Sequence, residues 1–245
     1  MFTLTTKGGV AVAAAALLAG SASADISSVV FSITATLDNG NGPSYPLEIE
    51  LDPSGIDDNG DYQWTLANPI DVNDGTGQNV FTLDDAGVTI FADPSVALNF
   101  NVIAGMQNTV FTVDSAVLGF APLANAVGRA TAAVSVTDLN GDGATFAPTG
   151  TGAYGSYYNG GGTLFQELLP GAVVADPFST ANANDVFPAV GYQNIGATLT
   201  DIQSDWNFTL SAGDLASGTS EFEVIPAPAS AVLGLAALAG LRRRR

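Results

Sequence analysis

The chain has 245 residues and a formal net charge of −18, with all 24 carboxylates lying between Asp25 and Glu223, where the one basic residue is Arg129. That balance excludes nucleic acid as a partner, because neutralising phosphates takes clustered Lys and Arg. The absence of Cys and His excludes disulfides, thiolate nucleophiles, sulfur or imidazole metal sites and Ser-His-Asp catalysis, and it leaves cations or neutral polymers such as sugars as the favoured partners.

Residues 1–24 read as a secretory signal peptide. Lys7 gives a positive start, Gly8–Gly20 an apolar stretch, and Ala22-Ser23-Ala24 a small-x-small cleavage site, with the cut after Ala24. The apolar stretch is shorter than the ~20 residues a spanning helix needs. The body then occupies residues 25–224.

The body alternates apolar and polar residues at period two. Ile26–Leu37 places Val29, Phe31, Ile33 and Ala35 on one face and Ser32, Thr34 and Thr36 on the other. The run Asp38-Asn39-Gly40-Asn41-Gly42-Pro43 tolerates positive φ, so the chain is expected to reverse into Tyr45–Leu51 as a hairpin. Tyr62, Trp64 and Leu66 mark a third strand. Further strands are expected at Val80–Leu83, Val88–Ala92, Val96–Ala104, Thr109–Leu118, Ala130–Thr137, Ala197–Asp201, Asp205–Leu210 and Ser220–Val224. Between them lie turns at Asp84-Asp85-Ala86-Gly87, Asp93-Pro94, Gly105–Asn108 and Ser211-Ala212-Gly213-Asp214. Thr163–Leu169 reads as a turn or two of helix, and Gly150–Gly162 as the one linker-like stretch. Many short strands with little 3.6-residue periodicity define an all-β fold, expected as an antiparallel β-sandwich of jelly-roll or immunoglobulin-like topology.

Three groups of side chains carry candidate chemistry. Asp138-Leu139-Asn140-Gly141-Asp142-Gly143 has the opening of a calcium loop, with oxygen ligands at the first, third and fifth places and Gly at the sixth. Thr149 stands at the twelfth place, where such a loop has an acidic ligand, so Asp138, Asn140 and Asp142 offer a calcium site outside the EF-hand pattern or a plain turn. The acidic run Asp57-Asp58-Asn59-Gly60-Asp61 offers the same choice. Tyr154, Tyr157 and Tyr158, beside Asn159 and three glycines, supply rings and an amide that can stack on and hydrogen-bond to carbohydrate, or else pack over a sheet end. Glycoside hydrolysis or lysis needs only two carboxylates, but no Glu pair stands out, so no catalysis is expected.

The chain ends in Pro226-Ala227-Pro228, an uncharged helix-compatible segment Ala229–Leu241, and Arg242, Arg243, Arg244 and Arg245. The segment is short for a membrane span, and the arginines hold the C-terminus in the cytoplasm. Val224–Arg245 resembles the tail of bacterial PEP-CTERM proteins, with Ala227 where that family has Glu. The resemblance implies export, a transient inner-membrane intermediate held by a short transmembrane helix, and cleavage by exosortase near Pro226–Ser230. It also implies residence at the cell surface or in an exopolysaccharide matrix. The expected protein is therefore a surface-sorted structural or interaction protein, with a carbohydrate-binding module as the alternative.

Overall fold

A computed structural model describes residues 25–227. The signal peptide with its cleavage residues Ala22 and Ala24, the C-terminal helix, Pro228 and the arginine cluster lie outside the described residues. Within them the chain is all-β. Its strands are β1 (Asp25–Ile26), β2 (Val29–Thr36), β3 (Ser44–Glu50), β4 (Tyr62–Thr65), β5 (Ile70–Asn73), β6 (Asn79–Phe91), β7 (Ser95–Ala104), β8 (Thr109–Ser115) and β9 (Leu118–Leu123). They continue as β10 (Ala126–Thr137), β11 (Ala144–Pro148), β12 (Tyr154–Tyr158), β13 (Thr163–Leu168), β14 (Val173–Ala175), β15 (Thr180–Phe187), β16 (Gln193–Asn194), β17 (Leu199–Leu210) and β18 (Leu215–Pro226).

Two antiparallel sheets pack as a sandwich. Sheet A runs β1-β9-β17-β8-β2-β3, with β11 and β12 along the other side of β17 and β14 and β13 beyond them. Sheet B runs β15-β10-β18-β7-β6-β4, with β16 beside β10 and β5 beside β6. The hairpin between β2 and β3 forms as expected, and Asp38, Asn39 and Gly40 all take positive φ at its reversal.

The alternating residues meet between the sheets. Phe100 of β7 stacks on Phe208 of β17 at 5.5 Å and meets Trp206 edge-on at 5.3 Å. Phe208 also stacks on Phe146 and Phe111, so the aromatic run crosses the whole sandwich. Each such pair adds about 0.5–1.5 kcal/mol beyond the area it buries. Trp206 is fully buried, and its indole N–H donates across the core to Ser220 Oγ at 3.0 Å. That bond pairs a polar group which would otherwise be stranded in apolar surroundings.

Several expectations are corrected. Asp84–Gly87 is no turn: β6 runs straight through it, taking up the extra residue as a bulge between Leu83 and Asp85 while Ala86 is buried. Two runs expected as separate, 197–201 and 205–210, join in β17, because Ile202 and Ser204 are core residues in the same alternation. Conversely, the run 109–118 divides between β8 and β9, and Ser27-Ser28 separates β1 from β2.

Residues 163–168 form β13 instead of a helix. Its bulge against β12 carries Phe165 toward sheet B, where the ring stacks on Phe222 at 5.2 Å. A short apolar run displaced by a bulge imitates helical spacing. Residues 150–162 are not a linker either, since they hold β12, paired on both sides. The last strand is longer than its apolar core, reaching Pro226, and the Ala227 amide still donates to Asn125 O at 3.0 Å.

Candidate functional site

The loop after β10 starts at Asp138, which is 3% exposed and surrounded by donors. Its Oδ2 accepts from the amides of Phe178, at 2.5 Å, and Gly141, at 3.0 Å. Burial pushes the Asp138 carboxyl up, but the bonds from Phe178 and Gly141 more than offset it, so its pKa lies below the ordinary value. The loop turns sharply because Gly141 and Gly143 both take positive φ. A Cβ at Gly141 would sit 2.2 Å from the Phe178 ring, so only glycine lets that ring close over the turn.

Asn140 is engaged with the loop itself. Its Oδ1 accepts from the Asp142 amide and its Nδ2 donates to Ala212 O, so the side chain ties this loop to the turn before β18. That turn also brings up Asp214, which the sequence does not link to the loop. Asp138, Asp142 and Asp214 each offer a carboxylate oxygen, and these oxygens lie within 4.8 Å of one another. Asp214 is fully buried, accepts from Leu139 N and the Ser211 hydroxyl, and has its pKa raised by burial and by Asp138. Three converging carboxylates can hold a hard cation. The other acidic run is organised differently. Asp57 Oδ1 accepts from the amides of Asn59 and Asp61, and Asp61 Oδ1 accepts from Ala92 N, so both carboxylates shape their loop.

The tyrosines separate. Tyr154 is not a surface contact: it is fully buried, its hydroxyl pairs with Ser204 at 2.9 Å, and its ring meets Trp206 at 5.4 Å. It faces inward because alternation from Trp206, directly opposite on β17, puts both in the core. Tyr157 is half-buried across Gly155, where a Cβ would lie 2.5 Å from its ring. Tyr158 lines a shallow groove of about 320 Å³ with Leu164, Phe165, Phe187 and Ile195, joined by Gln193 and Asn194.

Strand register assembles a further group that local sequence does not show. On the outer face of sheet A, Ser32, Asp114, Asp205, Gly155 and Glu167 stand in one row across β2, β8, β17, β12 and β13. Burial, then the charges of Asp114 and Glu167, push the Asp205 carboxyl up to about 7 against an offsetting bond from the Gly155 amide. Burial also raises Asp114, partly offset by the Ser32 hydroxyl. The Tyr157 phenol is raised by burial and by the charges of Asp205 and Glu167. A carboxyl that keeps its proton near neutrality beside an ionised one can donate as well as accept. No signal in the sequence links these residues, which are separated by tens of positions.

No known protein-family model matches the chain. No curated protein sequence matches it either.

Proposed function

We propose that the chain is an exported structural or interaction protein of a bacterial cell envelope or extracellular matrix, without catalysis of its own. On this reading residues 1–24 direct export and are removed by signal peptidase. The segment 229–241 and Arg242–Arg245 then hold an inner-membrane intermediate, and an exosortase-type enzyme releases the body.

The observation that carries the reading is where the tail begins. β18 is not an edge strand: it is hydrogen-bonded along its length to β10 and along most of it to β7, and it ends at Pro226, where the sorting segment starts. A membrane hold at the C-terminus thus acts on one of the most embedded strands of sheet B, and the load is shared by two ladders of hydrogen bonds. The Ala227 amide is tied to Asn125, so the described body extends to Ala227, and the proposed cut falls at or after it.

The test is mass spectrometry of the C-terminus in exported material, beside a chain with Arg242–Arg245 replaced by alanine. The expected wild-type product ends between Ala227 and Ser230, and the alanine chain accumulates unprocessed. Exported protein ending uniformly at Arg245 would overturn the reading.

A further inference from the structure

Arg129 is the single cation among the described residues, and its setting is unusual. It projects from β10 on the outer face of sheet B, directly opposite Glu223 of β18, the natural partner for an ion pair. Instead Glu223 Oε2 accepts from the Tyr192 hydroxyl at 2.7 Å, and Glu221 Oε1 accepts from Ser95 Oγ at 3.1 Å. Arg129 Nε is buried and has no hydrogen-bond partner among the described residues. A buried donor without a partner is unfavourable, and a ligand that draws the guanidinium outward recovers that loss.

Arg129 borders a groove of about 440 Å³ across β7, β18, β10 and β15, where Thr131, Asn184, Thr219 and Glu221 stand on the outer face of sheet B. Glu221 forms a wall shared with a second depression of about 740 Å³, lined by Asp58, Asp61, Asp93 and Glu223 with half-exposed Phe91. The lining offers donors from Arg129, acceptors from the carboxylates, and Thr and Asn groups that do both. Polyanions are disfavoured by the 24 carboxylates of the body. A cation is disfavoured at Arg129 itself. Hydroxyl groups, each both donor and acceptor, satisfy every member of this set.

We propose that this groove binds a neutral, polyhydroxylated chain, with Arg129 donating to hydroxyl or ring oxygens, Glu221 accepting from hydroxyls, and Thr131, Asn184 and Thr219 doing either. The site lies on the sheet face opposite the tyrosine segment and does not depend on how the tail is processed. It differs from the Tyr158 groove, whose Phe165 and Phe187 rings are engaged with one another and with Phe222.

Native affinity electrophoresis of the purified chain tests the proposal, using gels cast with dextran, mannan, galactan or mixed-linkage β-glucan, and with polygalacturonate as the charged arm. The expected result is retardation by at least one neutral polymer, weakened about tenfold in Arg129→Met, and kept in Tyr158→Ala and in the remote variant Thr76→Ala. Polygalacturonate is expected to leave migration unchanged. Should Arg129→Met fail to melt cooperatively, Glu221→Gln supplies the same comparison. Absence of retardation by every neutral polymer overturns the proposal. So does retardation unaffected by the groove variants, lost instead in Tyr158→Ala, or confined to polygalacturonate.

Discussion

Asp114 and Asp205 face each other as directly paired residues on the neighbouring strands β8 and β17, two carboxyl groups where like charges are disfavoured. Sheet A tolerates the pairing because one of them keeps its proton, with Asp205 pushed up to about 7 by burial and by the charges of Asp114 and Glu167. The groups around the pair are the Ser32 hydroxyl, the Gly155 amide, Glu167 and the Tyr157 phenol.

A pH dependence follows from this pair. A carboxyl whose pKa is raised on folding binds its proton more tightly in the folded state. Its stabilising contribution is complete below the unfolded value of 3.8 and is lost as pH rises through about 7. Asp138, shifted the other way, contributes stability above that unfolded value, and this is lost as pH falls through its lower folded value. The melting temperature is therefore expected to peak in mild acid and to decline from about pH 5 to pH 8. Asp205→Asn should flatten that decline and stabilise the protein at pH 8 by about 1–2 kcal/mol, a figure reduced for the pair's partial exposure. Calorimetry across the pH range decides the matter, and an equal slope in wild type and variant removes the pair as its cause.

The bond between Trp206 and Ser220 is the polar link across the core, and it predicts an asymmetry. Ser220→Ala strands the buried indole N–H and is expected to cost about 1–3 kcal/mol. Trp206→Phe with Ser220→Ala removes both polar partners, so the double variant should lose less than the sum of the two single changes. Urea unfolding of the four proteins measures the coupling, and strict additivity would show that the bond contributes nothing.

Gly218 of β18 predicts a steric cost. A Cβ there would lie 2.4 Å from the Phe100 ring, whose residue is paired directly opposite on β7. Gly218→Ala is expected to destabilise by about 1–3 kcal/mol through overpacking. Phe100→Leu should make the alanine nearly neutral, because it removes the ring atoms that clash. A Gly218→Ala chain as stable as wild type would mean that the ring moves aside freely.

The sandwich was legible where strands are half-buried, because residues such as Phe31 to Ala35 or Ala130 to Val136 alternate without interruption. It was illegible where a bulge shifts the phase, as at Asp84 in β6 and Phe165 in β13, and where glycine dilutes the pattern, as around Tyr154. The sites divide along the same line. Asp138 and Asp142 are near in sequence and were legible as loop oxygens. Asp214, Asp205 and Arg129 acquire their neighbours from strands far apart in the chain, and only sheet register supplies those.

Calcium is the remaining prediction, and it concerns Asp138, Asp142 and Asp214. Their oxygens converge within 4.8 Å, and Asp142, unlike the other two, is exposed to solvent. Sites of this kind in extracellular modules bind calcium with Kd of about 0.1–1 mM. At 10 mM calcium, mass action then stabilises the folded state by about 1–3 kcal/mol, a rise in Tm of roughly 3–8 °C for a body of this size. Asp142→Asn should abolish most of that rise and, in chelator, melt slightly above wild type, because one of three mutually repelling charges is gone. Asn140→Ala should instead lower Tm in chelator and in calcium alike, since Asn140 ties the loop to Ala212 and stands outside the carboxylate set. Scanning calorimetry with chelator and with calcium separates these outcomes. A wild-type Tm that calcium leaves unmoved would mean that the three carboxylates hold no calcium.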